Sequence, residues 1–567
     1  MKKLIFIIFI TGFFTLGCEK YLTEENPGNV VAEEFYLTEA GYESLVNTCY
    51  SQLRAIYGKA PWMFCAGTDL YVEGRNPQPE GLSQYRNLTP EDTIVRNFYF
   101  NCYHAIQMCN TALYYNNITE NTDVLTQRKG EVEFLRAYFY FLLVQTYGGV
   151  AISNDMIDAP KASFDQNTAE EVYAQITSDL KNALELVPEY SGSFNGRVDK
   201  RAVRHYLAKV YLTRGYELFG TSQDFTDAAS YADAAINNQS LNISFGDIFF
   251  PGNELNEEVI FSVQYDPASI TAASQETGNL TWHGNWQNGY FGPYHGGEGA
   301  IYGYPWRSYN LCPDMELFDL FTQEDTRFDG TFMINIYGNF EGSKYIGTYY
   351  DYYTKKDDRA SLNIAYYYAP KWAPDTAAWR TADLTHRSAT IIYPYSPDWE
   401  ASRTSNRDNE TPAIKKFDDP KSEYATNIGT NTRDLFLARL GETYLIAAEA
   451  YLKSGDMPKA VARINEVRGR AAVSGADLTI SAGELDIDFI LDERARELAG
   501  EYHRWFDLKR TGKLMERAKL YNKDIKSWVD NGIDPFLGTD GNYKILRPIP
   551  QAAIDLNKGN YKQNPGY

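Results

Sequence analysis

The sequence predicts a mainly α protein: a scaffold of stacked helical pairs, interrupted by a long region of loops and short strands. Three observations carry that prediction. Apolar residues recur at helical spacing through both ends of the 567-residue chain. Between residues 241 and 431 that periodicity disappears, while Gly, Asn, Pro and aromatic residues accumulate. One helical pair, over residues 441–474, occupies 34 positions, the tetratricopeptide period.

The elements follow in order. Residues 19–31 read as an extended tether. Tyr42, Leu45, Val46, Cys49 and Leu53 predict a helix over 39–56, and a second covers 96–115. Over 126–147, Val132, Leu135, Phe139 and Leu142 form one stripe, while Phe134, Tyr138 and Phe141 fill the other faces. A helix apolar all round is buried between neighbours, and Gly148-Gly149 ends it. Thr168 and Glu171 make a capping-box pattern ahead of the stripe Val172, Ile176, Leu180, Ala183 and Val187, which Pro188 closes. The partner helix opens near Asp199, carries Val203, Leu207 and Val210, and ends before Gly220; a short Ala-rich helix covers 226–237. In the last pair, Ala447, Ala448 and Ala450 permit close approach, Gly455-Asp456 turns the chain, and Ala460, Ile464 and Val467 face back. The charged helix over 491–500 interleaves Asp492, Glu493 and Glu497 with Arg494 and Arg496. Asp492 stands four residues before Arg496, so the pattern predicts an intrahelical ion-pair network and not a pair of catalytic carboxylates. Trp505 is expected to pack beneath the scaffold.

Composition excludes several functions. The net charge is −21, or −23 once the two lysines of residues 1–17 are removed, and no dense basic patch interrupts it. Such a surface repels phosphate backbones, so nucleic acid is not an expected partner. Lys2 and Lys3, followed by an apolar run over 4–14, read as an export signal, too short to span a bilayer. Leu16-Gly17-Cys18 suggests a lipoprotein cleavage site with the Cys18 thiol acylated, although Thr15 stands where a bulky aliphatic residue is usual. The five later cysteines, Cys49, Cys65, Cys102, Cys109 and Cys312, are odd in number and lack CxxC spacing, which favours buried thiols over disulfides or zinc. The six histidines form no HExxH pattern, and phosphate-binding, dinucleotide-binding and GxSxG motifs are missing from the sequence. No cofactor is implied; calcium in the acidic loops stays open, since it needs no recognisable spacing.

Binding chemistry concentrates in the non-helical region. Between residues 280 and 310 stand Trp282, Trp286, Tyr290, Phe291, Tyr294, Tyr302, Tyr304, Trp306 and Tyr309, interleaved with seven glycines. Flat rings with a negative face complement the weakly polarised C–H face of a sugar, and nearby amides, carboxylates or guanidinium groups satisfy its hydroxyls. His283, Asn285, Gln287, Asn288, Glu298 and Arg307 are the polar candidates. Trp282, Trp286, Tyr290, Tyr294, Tyr304 and Trp306 are the ring candidates, weighed against the alternative that most of these rings pack inside a long loop. A second tyrosine cluster, over 345–353 and 366–368, alternates as a strand does and is assigned to sheet and core.

The C-terminal stretch contains Glu493-Arg494, Glu497-Leu498, Glu501, Arg504-Trp505, Asp507-Leu508 and Arg510, then Pro548-Ile549-Pro550, and ends with Gln563 to Tyr567. In this order, together with Cys18, the chain resembles the SusD/RagB family of outer-membrane nutrient-binding lipoproteins of the Bacteroidetes. The resemblance covers nearly the whole mature chain. It implies a tetratricopeptide-like scaffold divided into a signal peptide (1–17), an N-terminal helical region (18–240), an aromatic-rich loop and short-strand region (241–432) and a C-terminal helical region (433–567). It places Trp62 and the segment Gly67-Thr68-Asp69 with Arg75 beside a ligand groove, so Asp69 and Arg75 join the candidates. Phe98 and Tyr99 stand where many members carry a tryptophan, so a starch platform does not transfer directly. The implied function is non-enzymatic. A lipid-anchored, surface-exposed protein would bind oligosaccharides and pass them to a SusC-like TonB-dependent transporter, over whose mouth it closes as a lid. The rival readings are RagB-like capture of oligopeptides, a surface glycoside hydrolase, and a tetratricopeptide scaffold that binds only proteins.

Overall fold

The structure is a computed structural model and describes residues 32–58, 60–74, 78–119, 122–267, 284–291, 310–341, 344–348, 364–383, 387, 391–395, 412–419 and 431–567. Helix α1 (Ala32–Tyr36) leads into α2 (Glu39–Tyr57) and the short α3 (Trp62–Cys65). Then come α4 (Thr93–Ile118), α5 (Asp123–Tyr147), α6 (Ala169–Leu186), α7 (Lys200–Arg214) and α8 (Ser222–Ile236). After the strand-bearing middle the chain resumes as α10 (Leu440–Ser454) and α11 (Met457–Ala471). Each of these packs on the next, α2 on α4, α4 on α5, and so through α8 onto α10 and α11, which makes one continuous stack. The sequence expectation of a mainly α, tetratricopeptide-like scaffold holds.

Caps explain where the helices begin. Thr168 Oγ1 accepts from Glu171 N (3.2 Å) and Glu171 Oε2 accepts from Thr168 N (2.8 Å), so the expected capping box is complete. Helix α4 opens three residues before the periodicity suggests, because Asp92 Oδ1 accepts from both Ile94 N and Val95 N at 2.9 Å. Likewise α5 opens behind Thr122, and α8 behind Thr221 with its own capping box. The caps satisfy orphan amide donors that apolar spacing does not see. Helix α5 is buried from Gly130 to Tyr147, as its all-round apolar sequence predicts. Gly455, at φ +87°, makes the left-handed turn between α10 and α11 that only glycine adopts without strain.

The strands are few. A two-residue strand β1 (Tyr71–Val72) pairs antiparallel with β3 (Cys312–Pro313), and β2 (Val259–Val263) pairs antiparallel with β8 (Leu435–Arg439). Strands β4 (Asn335–Glu341), β5 (Lys344–Thr348), β6 (Ile364–Tyr368) and β7 (Ile391–Tyr393) form a sheet in the order β5-β4-β6-β7, with only the β6–β7 pair parallel. Tyr366, Tyr367 and Tyr368 are buried in β6, which agrees with their assignment to sheet and core. Between β2 and β3 lies the four-residue helix α9 (Gln287–Tyr290).

The C-terminal motif helix is α12 (Ile487–Leu498), followed by α13 (Arg504–Arg510), α14 (Leu514–Tyr521), α15 (Lys523–Asp530) and α16 (Gln551–Asp555). Its charges do pair, but mostly between elements, which corrects the intrahelical expectation. Glu497 accepts from Arg327 (3.0 Å), from Arg439 (2.5 Å) and from Arg470. Glu493 accepts from Arg327 (2.7 Å), Arg468 (2.6 Å) and Arg496 (2.8 Å). Asp492 meets Arg517 at 2.5 Å and not Arg496, and Glu501 holds Arg439 and Lys416. Glu493, Glu497, Arg327 and Arg439 are all fully buried, so each charge needs its partners to offset desolvation. Gly441 leaves the necessary room: a Cβ there would lie 2.6 Å from Arg439 Nη1 and 2.7 Å from Glu497 Oε1. Trp505 is fully buried as expected, its Nε1–H donating to Tyr85 Oη at 3.1 Å.

The five later cysteines are buried. Among the described residues, no helix is long and apolar enough to cross a membrane, and no group of three His, Cys, Asp or Glu side chains is placed to hold a metal ion.

Candidate ligand-binding site

The segment from Gly284 to Phe291 is fastened at several points. Asn285 and Asn431 exchange backbone hydrogen bonds (Asn285 N to Asn431 O, 2.8 Å; the reverse, 3.0 Å), and Asn285 Nδ2 donates to Arg433 O at 2.9 Å. Gln287 Nε2 donates to Gly500 O at 2.9 Å, at the end of the motif helix α12. Leu311 N donates to Tyr290 O at 3.1 Å. Phe291 is fully buried against Tyr71 (ring centroids 5.3 Å apart) and Phe417 (5.9 Å). Asn285, Gln287 and Asn288 are therefore interior side chains. That corrects their reading as hydroxyl-binding groups: at least Asn285 and Gln287 spend their amides on the backbone of neighbouring segments.

The polar side chains turn inward, and two rings of the segment keep part of their surface exposed. Trp286 and Tyr290 are half-buried, and Tyr290 meets the half-buried Trp62 edge to face, with centroids 5.3 Å apart and planes at 76°. Trp62 opens α3, whose Phe64 clusters with Tyr57 (4.9 Å) and Tyr502 (5.2 Å), themselves 6.1 Å apart, so the helix that carries Trp62 is anchored by a buried aromatic cluster. Burial pushes the Tyr290 phenol up to about 12, so at neutral pH it is a neutral hydroxyl able to donate and accept. Two candidates far apart in the sequence thus form one ledge. Tyr502 was missed as a contributor. It lies inside the motif Glu501-Tyr502-His503-Arg504-Trp505, and the only signal for it was an aromatic among charges at the end of a helix.

Asp69 is not at this surface. It is fully buried, with Arg504 Nε on Oδ1 (2.7 Å), Arg504 Nη2 on Oδ2 (2.5 Å) and Arg517 Nε on Oδ2 (2.8 Å). Burial alone would raise its carboxyl, but the two guanidinium groups hold it below the ordinary value. The expectation that Asp69 accepts ligand hydroxyls is corrected: both oxygens are occupied in joining the N-terminal region to α13 and α14. Phe98 packs in the core against Phe64 (5.7 Å) and supplies no platform. Arg75, Trp282, His283, Tyr294, Glu298, Tyr304, Trp306 and Arg307 lie outside the described residues, as does Cys18.

Comparison with known proteins gives this arrangement a family. Residues 257–567 match the family model described as the SusD family, and residues 20–212 match the one described as starch-binding associating with outer membrane. The chain belongs to the SusD family. A SusD-like protein, P2, of Formosa agariphila is 27% identical over 589 residues, covering 99% of each chain. A SusD-like protein of Bacteroides ovatus is 23% identical, covering 90% of this chain and 82% of its own. Among solved structures, a laminarin-binding SusD-like protein superposes with a TM-score of 0.66 at 22% identity, over 94% of this chain and all of that one. Surface glycan-binding protein A of Bacteroides fluxus superposes equally well at 19% identity, again over 94% and 100%. Both structural likenesses are likenesses of the SusD fold.

Proposed function

We propose that this SusD-family protein is a non-enzymatic glycan-binding protein of the outer-membrane surface, and that Trp62, Tyr290 and Trp286 form part of its binding ledge. The observation that carries the proposal is the edge-to-face Trp62–Tyr290 pair, both rings only partly buried. A sugar ring laid on such a surface gains contact with its C–H face, and the neutral Tyr290 hydroxyl offers a partner for one of its hydroxyls. The laminarin-binding relative of the same fold supports a glycan as the ligand class. Trp282, Tyr294, Tyr304, Trp306 and Arg75 extend the ledge in this proposal, as their position in sequence suggests.

Acylation at Cys18 would hold the protein at the membrane, and a SusC-like TonB-dependent transporter would receive the ligand from beneath it. Tethering two proteins to one membrane raises their effective concentration for each other, so a modest interface suffices for the lid role.

Titration of the purified protein against soluble α- and β-glucans and a peptide mixture tests the binding reading. Saturable glycan binding without shortening of the polymer, weakened about tenfold by Trp62→Ala, is the expected result. Binding of peptides alone, or cleavage of the bound glycan, overturns it.

A further inference from the structure

One concave surface shares no lining residue with the ring ledge. It is a groove of about 430 Å³ between α4, the loop 151–164 and the C-terminal segment around α16. Its floor is the Tyr99, Tyr103 and Ile106 face of α4, and Phe164, Ala553 and Leu556 line its walls.

The walls are held before any ligand arrives. Lys558 N donates to Ala162 O (2.8 Å) and Gln166 N to Asn560 O (3.1 Å). Asn557 bridges the same strap, its Nδ2 donating to Phe164 O (2.7 Å) and its Oδ1 accepting from Phe164 N (2.9 Å). Tyr561 Oη pairs with Tyr99 Oη (2.8 Å) and accepts from Ala151 N (3.0 Å), while Tyr103 Oη donates to Ala151 O (2.8 Å). A preformed groove binds without the entropy cost of ordering its walls.

The same hydrogen bonds argue against a sugar here. The tyrosine hydroxyls are already engaged within the protein, and the rest of the lining is predominantly apolar, so most hydroxyls of a saccharide would be buried without partners. A small apolar ligand fits poorly for another reason. Phe100, Ile157 and Leu556 stand at the rim 41%, 36% and 76% exposed, and a ligand filling only the groove would leave them in water. A protein segment covers groove and rim together. Lys161 is the one charged side chain among the lining residues, in a chain of net charge −21. Its ammonium lies 4.8 Å from the Phe164 ring centre, which places a cation at the edge of the apolar surface.

We propose that this groove is the docking site of a partner protein whose segment inserts apolar side chains and sets a carboxylate against Lys161. The inference is independent of the glycan ledge, and its test separates the two.

The probes are blocked hexapeptides of sequence Ser-Leu-Phe-Glu-Leu-Ser, the same with Lys for Glu, and the same with Ser for both Leu and Phe, titrated against the full chain by calorimetry. The Leu/Phe/Glu peptide is expected to bind saturably. Replacing its Glu by Lys, or Lys161 by Glu in the protein, weakens binding at least roughly fivefold, and combining the two changes restores it. Ala553→Trp, which fills the groove from the half-exposed face of α16, abolishes peptide binding while glycan binding and the unfolding temperature stay unchanged. Absence of saturable binding by the Leu/Phe/Glu peptide at millimolar concentration overturns the proposal. So does equal binding in Ala553→Trp, or failure of the charge swap to restore affinity. Loss of glycan binding in Ala553→Trp would make the groove a sugar site and overturn it too.

Discussion

The C-terminal motif block and the ring-bearing segment around α9 use side chains in opposite ways. In the first, charges point inward: Glu493, Glu497, Arg327 and Arg439 are all buried and share hydrogen bonds across three separate chain segments. In the second, amides point inward, with Asn285 and Gln287 buried, while the rings of Trp286 and Tyr290 stay partly exposed. The difference lies in which group needs company. A buried charge is tolerated only with partners in place, so the ionic network fixes the relative position of the elements that supply them. A ring needs no partner and can remain at the surface once the backbone beneath it is fastened. The most charged motif in the chain is therefore architecture, and the surface proposed for the ligand is built from neutral residues.

The sharpest way to break this contrast is at Glu497. Glu497→Ala leaves Arg327, Arg439 and Arg470 without a shared counter-charge in the interior, and should cost about 3–5 kcal/mol of stability. Urea unfolding followed by circular dichroism measures it. A loss under about 1 kcal/mol would mean that Glu493, Glu501 and Glu258, which meets Arg470 at 3.1 Å, already neutralise the cluster, and the motif would lose its structural explanation. Asp69→Asn should follow the same pattern at smaller size, about 2–4 kcal/mol, with glycan affinity intact in the folded fraction, because Asp69 serves Arg504 and Arg517 and not the ligand.

Much of this architecture was legible in the sequence, for a local reason. The capping box at Thr168, the Gly455 turn and the apolar α5 are each set by residues within one or two turns of each other. Interactions between distant segments were not legible. Asp492 looks paired with Arg496 on a helical net, yet Arg496 bonds Glu493, and Arg517 from α14 takes Asp492. Asp69 offers no sign in its own neighbourhood that Arg504 will reach it. For the proposed ledge, the sequence names ring residues but not which of them meet. Trp62 and Tyr290 were each candidates, but their contact depends on how Gln287 is tied to Gly500, a link no spacing encodes. The buried amides were misassigned because Asn and Gln satisfy backbone groups and sugar hydroxyls with the same atoms.

Acid should act on the ionic block and spare the rings. Burial raises the Glu493 carboxyl, but Arg327, Arg496 and Arg468 outweigh it and hold it down to about 2. Burial pushes His503 down to about 3, and its neutral Nδ1 lies 3.2 Å from Lys209 Nζ. Both groups bind protons less readily in the folded than in the unfolded chain. Their contribution is therefore largest above pH 6.5 and is lost as pH falls, first through the histidine between about 6.5 and 3, then through the carboxylate between about 4.5 and 2. Glu133 and Glu316, whose carboxyls burial pushes up to about 7, act in the opposite direction over the same range. The share of His503 is therefore read against His503→Gln: from pH 7 to 4 the unfolding temperature should fall further in the natural chain than in the variant, and equal changes would remove His503 from the list of buried neutral groups.

The smallest effect expected concerns one hydroxyl. Tyr290→Phe keeps the ring against Trp62 and should leave stability within about 0.5 kcal/mol, since no hydrogen bond to another described residue engages the phenol. If the hydroxyl meets a sugar hydroxyl, glycan affinity falls by about 0.5–1.5 kcal/mol, a factor of roughly 2 to 13. Combining it with Trp62→Ala makes the measurement decisive. A hydroxyl that acts only when the sugar lies on the ring pair should lose its effect once Trp62 is gone, so the double variant should bind no more weakly than Trp62→Ala alone. Additive losses would mean that the two residues touch the ligand at separate places, and the ledge would divide into two contacts.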